Sequence, residues 1–385
     1  MIRAGMLTSG GDCQALNPVL RGIARGLYSF YGEEQVELIG FLDGYRGLMD
    51  ASCRRLTPGD FSDLLTRGGT ILGTSRQPFK RIREPDEGGR DKVAAMKATY
   101  EALELDGLFV LGGNGSLKTA NLLSEEGLRV IGLPKTIDND IWGTDYTFGF
   151  QSAVDVAARA LERIRTTAAS HSRCFLVELM GHKAGWLTLC AGIAGGADVI
   201  LIPELPYRLE SVAEAVRALD GHAVIAVAEG ALSAGEAAMP KQEFRQRRKA
   251  LLKRFPSPTY ALAEALSAQT GTECRVVVPG HIQRGGAPAP WDRVLASRMG
   301  AYAAGLFHRG EFGLMPALRG GEIVAVPLSQ VAGRLKTVPR GCDLLVEARL
   351  LGIQFGDQAA PGGKLPLNDS GCPIPGPDSP QKPEK

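Results

Sequence analysis

The sequence predicts an α/β protein of two lobes, each built on a mainly parallel sheet. Three observations carry this prediction. Short apolar runs ending near glycine alternate with helix-patterned segments, the alternation restarts after about residue 150, and the 385-residue length exceeds what one core fills. The first run, residues 3–7, precedes a helical pattern at 16–27 and a second run at 36–41, with further runs at 107–111 and 130–133. This order suits parallel neighbours, which need a crossover as long as a helix. In the second half, runs at 174–179, 199–202 and 223–227 are separated by helical patterns at 154–165 and 211–219. No repeat with a period of about 20 to 50 residues is visible, so the lobes are related in architecture only.

Composition narrows the function classes. Lys plus Arg number 44 against 42 Asp plus Glu, a net of +2, which demands no polyanion surface, so nucleic acid is not an expected partner. Seven cysteines, at 13, 53, 174, 190, 274, 342 and 372, are scattered without a C-x-x-C pair. That suits a reducing cytoplasm better than a disulfide framework or a zinc site. The opening Met-Ile-Arg-Ala-Gly-Met-Leu-Thr runs into a strand-like segment, and no apolar stretch approaches about 18 residues, so neither a signal peptide nor a membrane span is expected. The basic stretch 242–254 reads as a solvated helix face. The tail 357–385, rich in Pro, Gly, Asp and Lys, is expected to be disordered.

Chemistry concentrates in loops that follow strands. Leu7-Thr8-Ser9-Gly10-Gly11-Asp12 and Leu111-Gly112-Gly113-Asn114-Gly115-Ser116 each close a strand and open a helix, where backbone N–H groups can meet a phosphate. Either alone would pass for a tight turn. Together they can line one crevice outside the carboxyl ends of the strands. Gly68-Gly69-Thr70-Ile71-Leu72-Gly73-Thr74-Ser75-Arg76 adds hydroxyls and a guanidinium suited to phosphate oxygens. The Gly-Lys-Ser/Thr ending of a P-loop and the G-x-G-x-x-G of a dinucleotide fold are both missing.

Pro134-Lys135-Thr136-Ile137-Asp138-Asn139-Asp140 packs two carboxylates, a hydroxyl and an amine behind a core strand. One carboxylate could take a proton from an attacking hydroxyl while a second helps to hold Mg²⁺; the alternative is an Asx-type turn. Gly280-His281-Ile282-Gln283-Arg284-Gly285-Gly286 follows the run 276–278 and offers an imidazole and a guanidinium to a phosphate monoester.

Taken in chain order, with Met180-Gly181-His182 between the last two, these loops resemble the phosphofructokinase family over roughly residues 2–350. The resemblance implies two Rossmann-like lobes with the active site in the cleft between them, a nucleotide lobe of 1–149 with 258–304, and a sugar-phosphate lobe of 150–257 with 305–356. It implies phosphorylation of fructose 6-phosphate at its 1-hydroxyl by ATP with Mg²⁺. Asp138 would be the base, and Thr136 would position the phosphoryl group. Gly11, Arg76, Gly112, Gly113, Asn114, Gly115 and Ser116 would hold the nucleotide, with Asn114 and Asp140 at the metal. The sugar phosphate would meet Thr136, Ile137, Asp138, Met180, Gly181, His182, Glu229, His281, Ile282, Gln283 and Arg284. Arg173 and Arg275 would come from a neighbouring subunit, so a homo-oligomer, dimer or tetramer, with shared active sites is implied.

Three features depart from the family pattern. Asn114 stands where Asp is usual, which shifts metal binding toward Asp140, although a subgroup carries Gly-Gly-Asn-Gly. His182 replaces a common Arg, which makes phosphate stabilisation there pH-dependent. Cys13-Gln14-Ala15 replaces Ala-Pro-Gly and implies a different shape for the nucleotide loop. The donor rests on two positions. Gly115 leaves room for the α-phosphate of ATP, whereas Lys135 is the choice of pyrophosphate users. Pyrophosphate is therefore the alternative donor, and a non-catalytic sugar-phosphate-binding regulator the alternative from another class. Sedoheptulose 7-phosphate offers the same 1-hydroxyl. Arg21, Arg25 and Arg165 match effector-binding positions of bacterial relatives, but Leu219, Asp220 and Gly221 replace the matching lysines, so weak or absent control by ADP and phosphoenolpyruvate is expected.

Overall fold

The computed structural model of the protein describes residues 1–219 and 222–357. In chain order the strands are β1 Ile2–Ser9, β2 Val36–Phe41, β3 Cys53–Leu56, β4 Gly107–Gly112, β5 Val130–Pro134, β6 Cys174–Leu179, β7 Val199–Leu201, β8 Val224–Ala228, β9 Cys274–Val277, β10 Leu314–Arg319 and β11 Glu322–Pro327. The described chain divides into two compact units, Met1–Ala153 with Arg284–Lys336, and Val154–Gln283 with 337–357.

The first unit carries a seven-stranded sheet in the order β11-β10-β5-β4-β1-β2-β3. Its inner strands are parallel, as the alternation predicts, and β3 and β11 close the two edges antiparallel. The hairpin β10–β11 turns on Gly320 and Gly321, both at positive φ (57° and 91°), the backbone that a two-residue hairpin loop requires. Leu7, Phe41, Leu108, Val110 and Val130 from the sheet pack with Leu117 and Leu123 of helix Asn114–Glu125. Each such side chain contributes about 1.5 to 3 kcal/mol on burial. Helix Leu16–Tyr31, which follows β1, runs against helix Pro290–His308.

The second unit carries a four-stranded, all-parallel sheet in the order β7-β8-β6-β9. Leu176, Val199, Leu201, Ile225 and Val227 pack there against Val212 and Leu262 of helices Leu209–Ala218 and Pro258–Thr270. Helix Lys241–Arg254 buries no residue, as its charge pattern predicts; Arg248 donates to the Ala231 carbonyl (3.0 Å).

The unit boundaries differ from the expected lobes at 150–153, 258–283 and 305–336. Residues 258–283 belong with the second unit because β9 pairs with β6, and residues 305–336 belong with the first because β10 pairs with β5. Strand pairing partners lie far apart in sequence, and no local signal reveals them. The expected disordered tail falls, apart from Asp357, outside the described residues, as do Asp220 and Gly221.

Candidate active site

β1, β4 and β5 are neighbours and end flush: Ser9 pairs with Gly112, and Gly112 with Pro134. The three loops that follow them therefore leave the sheet side by side. They line an open cavity of about 360 Å³ whose walls include Gly10, Gly11, Gly113, Asn114, Gly115, Ser116, Lys135, Thr136, Asp138 and Asp140. Arg76, Gln77, Pro78 and Phe79 line another wall, and Arg284 a third. The whole cavity belongs to the first unit.

Buried polar bonds fix the loops. Thr8 Oγ1 donates to the Gly73 carbonyl (2.7 Å), Thr74 Oγ1 to the Gly10 carbonyl (2.7 Å), and the Gly10 N–H to the Ser75 carbonyl (2.9 Å), which draws the 68–76 loop to the end of β1. Ser116 Oγ donates to Ser9 Oγ (3.0 Å), and buried Tyr45 donates to the Ser116 carbonyl (2.7 Å). Gly112 admits no side chain, because a Cβ there would stand 2.2 Å from that of Ser116. Gly115 has open space in front of its Cα. Helix Asn114–Glu125 begins at the cavity without an acidic residue in its first turn, so its unpaired N–H groups and dipole favour an anion.

The acidic loop is a turn as well as a site. Asn139 takes a left-handed φ of 50°, and its amide accepts from the Thr147 N–H (3.0 Å) and donates to the Asp145 carbonyl (3.1 Å). Asx-type bonding therefore presents the two flanking carboxylates to the cavity. Thr136 Oγ1 accepts from the Asp138 N–H (3.1 Å), while the Ile137 side chain is fully buried, so only its backbone can face a ligand.

Asn114 Nδ2 donates to the Arg334 carbonyl (2.6 Å), leaving its Oδ1 as the oxygen it can offer. The Asp140 carbonyl accepts from the Lys336 N–H (2.9 Å), so segment 334–336 backs both expected metal contacts. Two carboxylates and one amide beside an anion site suit Mg²⁺, which takes one or two protein oxygens and completes its shell with phosphate and water. Among the described residues no three His, Cys, Asp or Glu gather as a closed protein cage.

Lys135 is buried and donates to the Gly11 carbonyl; burial depresses its pKa from 10.5 to about 8. Arg284 Nη1 donates to the Asp12 carbonyl (2.8 Å), and Gly11 keeps room for the same guanidinium. The departures at 13–15 are absorbed by packing. Cys13 is buried, its thiol pushed up to about 12 by desolvation, and Gln14 Nε2 donates to the Gly285 carbonyl (3.1 Å).

In the second unit Met180, Gly181 and His182 follow β6, Glu229 follows β8, and His281, Ile282 and Gln283 follow β9. The Met180 N–H donates to Gln283 Oε1 (3.2 Å), and the Glu229 N–H to the Leu179 carbonyl (2.9 Å). His182, Glu229, His281 and Ile282 are exposed, Ile282 by 63%. Arg173 and Arg275 lie at the other end of β6 and β9, ion-paired to Glu273 (2.6 Å for Arg173). From Arg173 to Met180 is roughly 20 Å of extended strand. Of the expected effector residues, Arg21 and Arg25 lie on helix Leu16–Tyr31, and Arg165 is held by Asp198 (2.8 Å). Sequence reading missed Gln77, Pro78, Phe79 and segment 334–336. None has a motif; the chain path brings 77–79 to the cavity wall and 334–336 behind Asn114 and Asp140.

Comparison with known proteins agrees with this geometry. Residues 3–307 match the family model described as Phosphofructokinase. An ATP-dependent 6-phosphofructokinase of Spirochaeta thermophila is 52% identical over 92% of this chain and 97% of its own. A pyrophosphate–fructose 6-phosphate 1-phosphotransferase of Amycolatopsis methanolica is 44% identical over 88% and 96%. The phosphofructokinase structure from Saccharomyces cerevisiae superposes at a TM-score of 0.73 with 29% identity, over 86% of this chain and 45% of that longer one. The mainly parallel α/β fold, the cavity at the ends of β1, β4 and β5, and the family match over most of the chain place this protein in the phosphofructokinase family.

Proposed function

We propose that the protein phosphorylates fructose 6-phosphate at its 1-hydroxyl with ATP and Mg²⁺, giving fructose 1,6-bisphosphate and ADP as a cytoplasmic glycolytic enzyme. The observation that carries this reading is the convergence of three loops on one cavity, where basic side chains and a helix N-terminus face the Asp138 carboxylate. The triphosphate lies along Gly11 and residues 112–116, with Arg76 taking phosphate charge. Thr136 positions the phosphoryl group, and Asp138 accepts the proton of the attacking hydroxyl. Mg²⁺, held by Asp140 and the Asn114 oxygen, supplies charge neutralisation to the phosphates when bound. Met180, Gly181, His182, Glu229, His281, Gln283 and Arg284, with the Ile137 backbone, recognise the sugar phosphate.

The open space at Gly115 supports ATP, because a nucleotide needs the volume that a larger residue would fill. Lys135 in the cavity wall and the 44% identical relative named for pyrophosphate keep that donor as the second reading. Placement of Arg173 and Arg275 at the strand ends opposite Met180 and Gln283 supports a homo-oligomer, dimer or tetramer, in which a neighbouring copy supplies both arginines. Among the described residues no helix is long and apolar enough to cross a membrane. A coupled assay with Mg²⁺, fructose 6-phosphate and either ATP or pyrophosphate tests the reading. Turnover with ATP that is lost in Asp138→Ala is expected; turnover with pyrophosphate alone would reassign the donor, and none with either would leave a binding protein.

A further inference from the structure

Cys174 and Cys274 open β6 and β9 and are direct partners in the parallel pair. Neighbouring strands lie about 4.7 to 4.9 Å apart, inside the range of roughly 4.4 to 6.8 Å that Cα atoms span across a disulfide. Directly paired residues point to the same face, here the inner one, where both pack against the core of the second unit. The two thiols are neighbours across the strand pair, and Cys274 Sγ donates to the Thr272 carbonyl (3.6 Å). The neighbouring Cys174 thiol, helped by Ser267, holds the Cys274 thiol below its ordinary range, while Cys274 and burial push Cys174 up. Access is unequal: Cys174 is fully buried and Cys274 half-buried. β9 is a four-residue strand at the edge of its sheet, held by one neighbour only, so it and the thiol rotamers can adjust as the sulfurs approach.

The residues beside the pair face the other way. Glu273 pairs through its two carboxylate oxygens with Arg173 and with Arg275, and these partners hold its own carboxyl below the usual range. The backbone that carries the thiols therefore also carries an arginine–glutamate–arginine fork.

We propose that Cys174 and Cys274 form a reversible dithiol site that closes to a disulfide on reaction with a low-molecular-weight disulfide, resetting the Arg173–Glu273–Arg275 fork. The Cys274 thiolate attacks one sulfur of the small disulfide and expels one thiolate. Cys174 then loses its proton to that thiolate and attacks the Cys274 sulfur, expelling the second. Two protein thiols are oxidised and one small disulfide is reduced to two thiols. The closure itself depends only on the strand pair; its effect on turnover rests on the substrate reading of Arg173 and Arg275.

The test uses the full chain, reduced, desalted and then exposed to oxidised glutathione. Thiols are counted and peptides mapped without reduction. The expected result is loss of two thiols per chain, one peptide pair joined through Cys174 and Cys274, no retained glutathione, and reversal by dithiothreitol. Cys174→Ser should instead keep glutathione on Cys274, and Cys274→Ser should leave position 174 unmodified. Recovery of both cysteines unlinked in folded protein, or stable glutathione on Cys274 of the parent, overturns the proposal. Should Cys174→Ser not fold, Cys274→Ser, changed at the half-buried position, serves as the control. Kinetically, the oxidised parent should show a several-fold change in KM for fructose 6-phosphate that Cys274→Ser lacks; an unchanged KM with the linkage formed overturns the effect on the fork. Absence of turnover in the reduced protein would instead count against the kinase reading and leave the mapped linkage as its own result.

Discussion

The loops at the carboxyl ends of the two sheets are held in different ways. In the first unit Ser9, Thr74, Ser116 and Asn139 spend their polar groups on neighbouring loops, and the cavity is walled from one unit alone. In the second, His182, Glu229, His281 and Ile282 stand exposed, and the two arginines of the expected set lie at the opposite strand ends. A site whose shell is bonded internally is preorganised for charged phosphates. On the proposed function, a set divided between two ends of the same strands is completed by a second copy.

The largest expected break in this comparison is at the preorganised end. Asp138→Ala should lower kcat about 10²- to 10⁴-fold with little change in KM, since it removes a proton acceptor rather than a binding contact. Steady-state kinetics with ATP check this, and a change confined to KM would move the base elsewhere. Next is Gly115→Asp, which puts a carboxylate into the open space at the helix start. Like charges facing one another cost several kcal/mol, so kcat/KM for ATP should fall on the order of 100-fold, with pyrophosphate less affected.

At the divided end, Arg173→Ala should raise KM for fructose 6-phosphate about 10- to 100-fold, the loss of one charge-assisted bond. Mixing that variant with Asp138→Ala should restore up to about a quarter of parental activity if each site draws on two copies, because random pairing gives that share of intact sites. No recovery after co-refolding would return Arg173 to a role within its own subunit.

The last effect concerns stability rather than turnover. The folded pKa of Lys135, about 8, lies below its ordinary 10.5, so the unfolded chain binds more protons between those values. Stability should therefore rise as pH goes from about 8 to 10.5, and the penalty below that window is on the order of 3 kcal/mol. Denaturant midpoints across this range should slope upward in the parent and flatten in Lys135→Met.

Local pattern determined much of this protein. The apolar runs at 36–41 and 174–179 became β2 and β6 with the same bounds, because a strand buried on both faces is mostly apolar, with Glu37 and Glu178 as the one charge in each. The loops of the first unit were legible for a related reason, since glycines and clustered polar residues after a core strand have few structural uses there. Tertiary structure alone decided the rest. It assigned β9 to β6 and β10 to β5, brought Gln77 and segment 334–336 to the cavity and its expected metal contacts, buried Ile137, and set Cys174 beside Cys274. Each of these depends on contacts between residues far apart in the chain, and such pairing is fixed by the packing of whole elements rather than by the composition of any one segment.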